Sequence, residues 1–233
     1  LRPYGMDAPR DVVRVQMMVK NGVANEWPYH AFAGMRERAS HARVEASLQE
    51  SVRFSLSPTE TPSRADTLLL VSGGYLPMLG GRAVRGRTLQ PSDDSPGASP
   101  VVALNYRLWT TRLNSDPAIV GSTVWLSGAP VTVVGILEPA FTGPKDNPPT
   151  FWAPSGSYAA IHRDPAIERT SGMQVAVIGR VTASGDRAVA ASELSTIAAA
   201  LPDVGIRNET GGLEPATGVQ LDGASSPVDG PDS

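Results

Sequence analysis

The chain is 233 residues long, enough for one large domain or two small ones, and its 41% hydrophobic and 18% charged residues exclude a chain that is disordered or membrane-embedded throughout. Twenty basic side chains against 23 acidic, a net charge of −3, are too balanced for a phosphate-neutralising surface, so no nucleic-acid partner is expected. Without cysteine there are no disulfides, thiolate zinc sites or cysteine nucleophiles, and 23 glycines with 21 prolines predict many turns and short elements.

The opening, Leu1-Arg2-Pro3-Tyr4-Gly5, shows neither an initiator methionine nor a charged stretch followed by an apolar one, and is expected to belong to a longer protein. Apolar runs such as Leu68-Leu69-Leu70-Val71 fall far short of the roughly 20 residues that cross a bilayer. Residues 12–19 alternate, with Val13, Val15, Met17 and Val19 on one face, the period of a strand. From Asn25, a capping residue, the pattern becomes helical: Pro28 suits a first turn, and Phe32, Met35 and Ala39 share a side. Val44, Ala46, Leu48, Val52, Phe54 and Leu56 restore period two, with Glu50 expected to mark a bulge or an edge.

Ser57 to Ser63 is rich in Ser, Thr and Pro and reads as a connection, and Leu68 to Val71 follow as a short strand. Val101 to Leu104 predict another strand, after which Asn105 caps a helix carrying Leu108, Trp109 and Leu113. The runs Ser122–Ser127 and Val131–Leu137, separated by Gly128, Ala129 and Pro130, predict a hairpin. Phe141 to Pro149, with Gly143 and three prolines, predicts an irregular loop ahead of Phe151-Trp152. Met173, Val175, Val177 and Val181 line a strand, and Ala190, Leu194, Ile197 and Leu201 stripe a helix that Pro202 ends. A weak strand near Val219 and Leu221 completes a second strand-helix-strand unit.

Chemistry-bearing motifs are scarce. His30, His41 and His162 have no metal-ligand spacing and read as ordinary histidines. No Gly-x-Ser-x-Gly elbow occurs, and Gly73-Gly74 and Gly80-Gly81 flank an apolar turn without the lysine of a P-loop. Asp93-Asp94, between Ser92 and Ser95, has the oxygen donors a hard cation accepts, against the plainer reading of a solvated turn. Arg82, Arg85 and Arg87 form a basic cluster that arginine-rich usage explains equally well, Lys20 and Lys145 being the only lysines. Asn208-Glu209-Thr210 matches a glycosylation sequon of the kind that arises by chance, and Trp27, Tyr29 and Phe32 read as core contacts of the first helix.

The middle of the chain resembles a known family. Val71-Ser72-Gly73-Gly74-Tyr75-Leu76-Pro77-Met78-Leu79-Gly80, then Gly86-Arg87-Thr88-Leu89 and Asp93-Asp94, are similar to the periplasmic core domain of MacB-like and FtsX-like ABC transporter permeases. Pro100-Val101-Val102-Ala103-Leu104, Leu108-Trp109, Asp116 to Gly121, Val131 to Ile136, Phe141-Thr142-Gly143 and Trp152-Ala153-Pro154 follow in the same order, most like the acidobacterial-type permeases of that group. The likeness covers about residues 10–202 and is carried by the succession of blocks.

The resemblance implies an α+β domain inserted between the first two transmembrane helices of an inner-membrane permease and lying in the periplasm. It implies a porter-like subdomain of two strand-helix-strand units from residues 1–57 and 150–222, an inserted mixed α/β sabre-like subdomain from 58–149, and a flexible tail at 223–233. No catalytic residue, metal or cofactor is expected. The partners it implies are a cytoplasmic ABC ATPase, acting through transmembrane helices that this chain lacks, and a periplasmic substrate or partner protein. The intact permease is expected to be a dimer whose interface is largely membranous, which leaves the isolated domain free to be a monomer. The expected work is mechanotransmission, with contacts at the irregular loop (Phe141, Lys145, Asp146 and Asn147) and at the hairpin turn (Gly128). Two other classes stay open on the residues alone: a free-standing periplasmic binding or adhesion module, and a hydrolase whose serine or carboxylate meets a histidine only in the fold.

Overall fold

In the computed structural model, which describes residues 7, 11–60, 62, 64–143, 148–163, 173–182, 186–207 and 212–223, the first alternating run is strand β1 (Val12–Val19). Two three-residue strands follow, β2 (Gly22–Ala24) and β3 (Glu26–Pro28), so helix α1 (Tyr29–Arg38) begins later than Asn25. Asn25 does not cap it; its Oδ1 instead accepts from Gln16 Nε2 at 2.7 Å, which draws the residue back to β1. Strand β4 (Ala42–Ser55) runs through Glu50 without a bulge, in unbroken register from Ser47↔Val71 to Arg53↔Ala65. The Glu50 carboxylate keeps a quarter of its side chain in solvent, 4.0 Å from His162 Nε2, and so needs no break in the backbone.

Next come β5 (Ala65–Val71), the one-turn helix α2 (Tyr75–Leu79) closed by left-handed Gly80, β6 (Ala83–Gly86) and a 3-10 turn at Pro91–Asp94. Strand β7 (Val101–Leu104) leads into α3 (Tyr106–Arg112), where Asn105 Oδ1 accepts from Leu108 N at 2.7 Å, the expected cap. The hairpin of β8 (Thr123–Leu126) and β9 (Ala129–Leu137) turns on Ser127 and Gly128, both at positive φ, the two-residue loop whose twist suits antiparallel strands. Then follow β10 (Phe151–Pro154), α4 (Tyr158–His162), β11 (Gln174–Val181), α5 (Arg187–Ala199), β12 (Gly205–Arg207), β13 (Leu213–Pro215) and β14 (Gly218–Gly223).

These elements form two compact units, one of Leu1–Asp7 with Glu45–Met173, the other of Ala8–Val44 with Gln174–Ser233. In the second unit the order is β14, β1, β11 and the start of β4. The two strand-helix-strand segments are therefore each split by a strand of the other: β11 separates β1 from β4, and β1 separates β11 from β14. Helix α5 packs on β14 and α1, and α1 on β11. Trp27, Phe32 and Met35 are buried there with Val13, Val15, Met17, Val175 and Val177. Trp27 thus belongs to the core as expected, but from β3 rather than from the helix, with its Nε1 donating to Val15 O at 2.7 Å.

The first unit is a mixed sheet that closes on itself. β4 pairs with β5, β5 with β10, β10 with β7, β7 with β9, β9 with β8, and β8 returns to β4 through Phe54↔Leu126 and Ser55↔Trp125. Alternate residues of all six strands point inward: Val52 and Phe54, Leu68 and Leu70, Phe151 and Ala153, Val102 and Leu104, Val131 and Val133, Val124 and Leu126. Small barrels are filled by such side chains, and Leu108, Trp109 and Ile161 from α3 and α4 join the same cluster. Closure removes the free strand edges of this ring, leaving β6 outside it, paired with β9 alone.

Candidate functional site

The run Ser72-Gly73-Gly74 leaves β5 through a knot of buried polar groups. Ser72 Oγ donates to Glu45 Oε2 in a short hydrogen bond and accepts from Ala46 N at 2.9 Å. Gly74 lies so close to Glu45 that a Cβ at that position would collide with Oε1. Asp94 accepts from Gly73 N at 3.2 Å, Ser155 Oγ at 2.8 Å and Gly156 N at 2.7 Å, tying the strand exit to the segment after β10.

Asp93-Asp94 is therefore not the solvated turn expected from its composition. Asp94 is buried, and Asp93 is held by both terminal nitrogens of Arg87 at 2.7 and 2.8 Å and by Gln90 N at 2.7 Å. Partial burial works against ionisation of Asp93, but the hydrogen bonds from Arg87 and Gln90 and the Arg87 charge outweigh it and hold its carboxyl below the usual range. The same fork raises Arg87 further, so this arginine has a specific structural partner. Among the described residues no three histidine or carboxylate side chains come together as a metal-ligand set.

Among the described residues a serine, a histidine and a carboxylate meet at the turn before β4. Ser40 Oγ donates to Glu193 Oε1 at 2.7 Å, His41 Nδ1 lies 3.2 Å from Glu193 Oε2, and the Ser40 and His41 backbone N–H groups donate to the same carboxylate at 3.0 and 2.9 Å. In a hydrolytic triad the histidine stands between hydroxyl and carboxylate so that it can take the serine proton. Here the hydroxyl bonds the carboxylate directly, and a single ring nitrogen, His41 Nδ1, lies 3.2 Å from both Ser40 Oγ and Glu193 Oε2 instead of bridging them through two, so the cluster is a clasp that fixes the turn to α5. Partial burial alone would raise Glu193, but the donors from Ser40 and His41 bring it down to about 2. His30 Nε2 lies 2.9 Å from Pro202 O, and the His162 ring lies 4.4 Å from that of Tyr158.

Of the expected contact residues, Lys145, Asp146 and Asn147 lie outside the described residues, as does the sequon at 208–210. Phe141 is 3% exposed, its ring 5.4 Å from that of Trp152, and it anchors the start of the irregular segment. The other end is held by Asn105 Nδ2, which donates to Pro149 O at 2.9 Å, so one asparagine both caps α3 and ties the loop. Gly128 is exposed at the hairpin tip with φ +84°, and a Cβ there would stand 3.3 Å from Arg163 Nη1. Nine-residue β9 runs from Ala129, beside this tip, to Leu137, just before the loop, so its ends are about 26 Å apart. The loop and the hairpin turn are two separate regions.

Two pairings bear on how the second unit meets the rest of a longer protein. Val13 at the start of β1 is directly opposite Gly223 at the end of β14. Val12 pairs with Arg180 near the end of β11, whereas Gln174, where the chain re-enters this unit, is six residues away at the other end of that strand, about 20 Å along it. No helix among the described residues is long and apolar enough to cross a membrane.

The family model described as the MacB-like periplasmic core domain matches residues 6–197. The fold is similar to the crystal structure of the periplasmic region of MacB from Actinobacillus actinomycetemcomitans, at TM-score 0.59 and 14% identity over 83% of this chain and 84% of that one. It is also similar to the extracellular domain of the noncanonic ABC-type transporter YknZ from Gram-positive bacteria (TM-score 0.54, 18% identity, 80% and 91% covered). A domain of a putative permease from Porphyromonas gingivalis is likewise similar (TM-score 0.56, 10% identity, 78% and 80% covered). No curated protein matches the chain. The ordered blocks from Val71 to Pro154, the mixed α/β architecture and the match over residues 6–197 agree: the chain belongs to the family of MacB-like periplasmic core domains of ABC transporter permeases.

Proposed function

We propose that this periplasmic domain is a mechanical relay, which passes ATP-driven motion of transmembrane helices to a substrate or partner protein outside the inner membrane and performs no chemistry itself. The observation that carries this reading is the pairing of Val13 with Gly223. Helices joined to both ends of the domain would pull on adjacent strands of one sheet, and their displacement would enter the second unit as a rigid-body movement. The chain enters that unit after Asp7, leaves it after Val44 and returns at Gln174, so the other unit takes up the movement through three covalent connections. The division into a porter-like part built from both chain ends and an inserted sabre-like part is proposed in the same sense, with the compact units favouring seams at 7/8, 44/45 and 173/174.

The closed strand ring of the inserted unit supports the role, because a relay that bends dissipates the motion it receives. The contact regions proposed are the segment between Phe141 and Pro149, including Lys145, Asp146 and Asn147, and the hairpin turn at Gly128. A cytoplasmic ATPase drives the movement, and the permease works as a dimer.

The test is made in the intact permease with its ATPase. A flexible stretch of glycine and serine is inserted between each transmembrane helix and the domain, before Leu1 and after Gly223. ATP hydrolysis is expected to persist while transport or partner activation is lost. Full output with both flexible stretches in place would contradict a relay.

A further inference from the structure

The outer surface of the strand ring carries a small recess lined by Ser47, Gln49, Leu69, Tyr75, Thr142 and Trp152. Register places three of these in one row: Gln49 is opposite Leu69 on β5, and Leu69 is opposite Trp152 on β10. Ser47 stands one row further along, opposite Val71. The Trp152 ring is fully buried, packed at 6.3 Å from Tyr75 and 5.4 Å from Phe141, yet its Nε1–H has no hydrogen-bond partner among the described residues.

A buried indole N–H without an acceptor forfeits the hydrogen bond that it makes to water in the unfolded chain, and the other tryptophans with described partners avoid this, Trp27 through Val15 O and Trp109 through Asp116 O. A cavity holds a water when it offers about 10–15 Å3 and two to four polar partners. This recess measures about 20 Å3, and Trp152, Ser47, Tyr75 and Gln49, each of which carries a side-chain polar group, are among the residues that line it.

We infer that the recess is a binding site for one structural water, which accepts from Trp152 Nε1–H and donates to the oxygens of Ser47, Tyr75 or Gln49. Among the described residues no charged side chain lines the recess, and the Tyr75 hydroxyl, pushed up to about 12 mainly by burial, stays neutral. The water joins β10 to β4 across Leu69, which has no polar atom to do so. Thr142 and Pro149, the described ends of the irregular segment, border the same recess. The water therefore lies beside that segment, and the inference does not depend on what the segment touches.

The test is water-to-indole magnetisation transfer on the 15N-labelled full chain, whose four tryptophans give four indole signals. Trp152→Phe removes one signal and so assigns it. The Trp152 indole proton is expected to show a cross-peak from a long-lived water, with none at Trp27. Where Trp152→Phe does not fold, a crystal structure of the unaltered chain serves instead, with a water oxygen expected within about 3.2 Å of Trp152 Nε1. No cross-peak at the Trp152 indole signal, or a protein oxygen bonded to Trp152 Nε1 in the crystal, would overturn the inference.

Discussion

Gly74 has no room for a side chain, because the Glu45 carboxylate that bonds Ser72 occupies the space a methyl group would need. Gly74→Ala is expected to destabilise the domain by about 1–3 kcal/mol in urea unfolding, the usual cost of overpacking a tight site. Adding Glu45→Ala should recover part of that loss, so the double variant falls short of the sum of the single effects. Glu193 works in the other unit and on pH. Its carboxyl is held at about 2, against an ordinary value near 4.5, by the donors of Ser40 and His41. A carboxyl lowered by folding stabilises the fold fully above its unfolded pKa and loses that contribution as pH falls through the folded one. The unaltered chain should therefore lose stability from about pH 4.5 toward pH 2, and Glu193→Gln should remove that part of the dependence while costing about 1–2 kcal/mol at pH 7. Identical acid profiles for the two proteins would show that the clasp contributes nothing.

The hairpin of β8 and β9 shows which elements local sequence can specify. Ser127 and Gly128 both sit at positive φ, a conformation that glycine adopts freely and a β-branched residue resists. Gly128→Val should lower the urea midpoint by an amount equal to about 1–2 kcal/mol, whereas Gly128→Asn should leave it nearly unchanged. The longer strands, the α3 cap at Asn105 and the stripe of Ala190, Leu194 and Ile197 on α5 were readable because each rests on neighbours within one or two turns. The short strands β2, β3, β12 and β13 were not, since three residues carry no period. Neither was the burial of Asp94, which depends on Ser155 and Gly156, 61 and 62 residues further along the chain. The contact residues read from the loop were legible only as an irregular segment. Composition cannot distinguish a buried anchor such as Phe141 from an exposed tip such as Gly128.

Ring closure is also a non-local matter, since β8 meets β4 through residues about 70 positions apart and no local pattern announces the pairing. The second unit is likewise assembled from both ends of the chain, with β1 between β11 and β14. One unit is thus built on a sheet in which β1 and β14 lie side by side, and the other on strands that form a closed ring around their own core. The most direct measurement is a spin-label distance in the intact permease with its ATPase, between labels placed at exposed Ser51 in the two permease subunits, with and without bound ATP. The lack of native cysteine in this domain lets each label be introduced singly. A relay predicts a shift of several ångströms in the mean distance, with no broadening of the distribution. The same distance in both nucleotide states would contradict it.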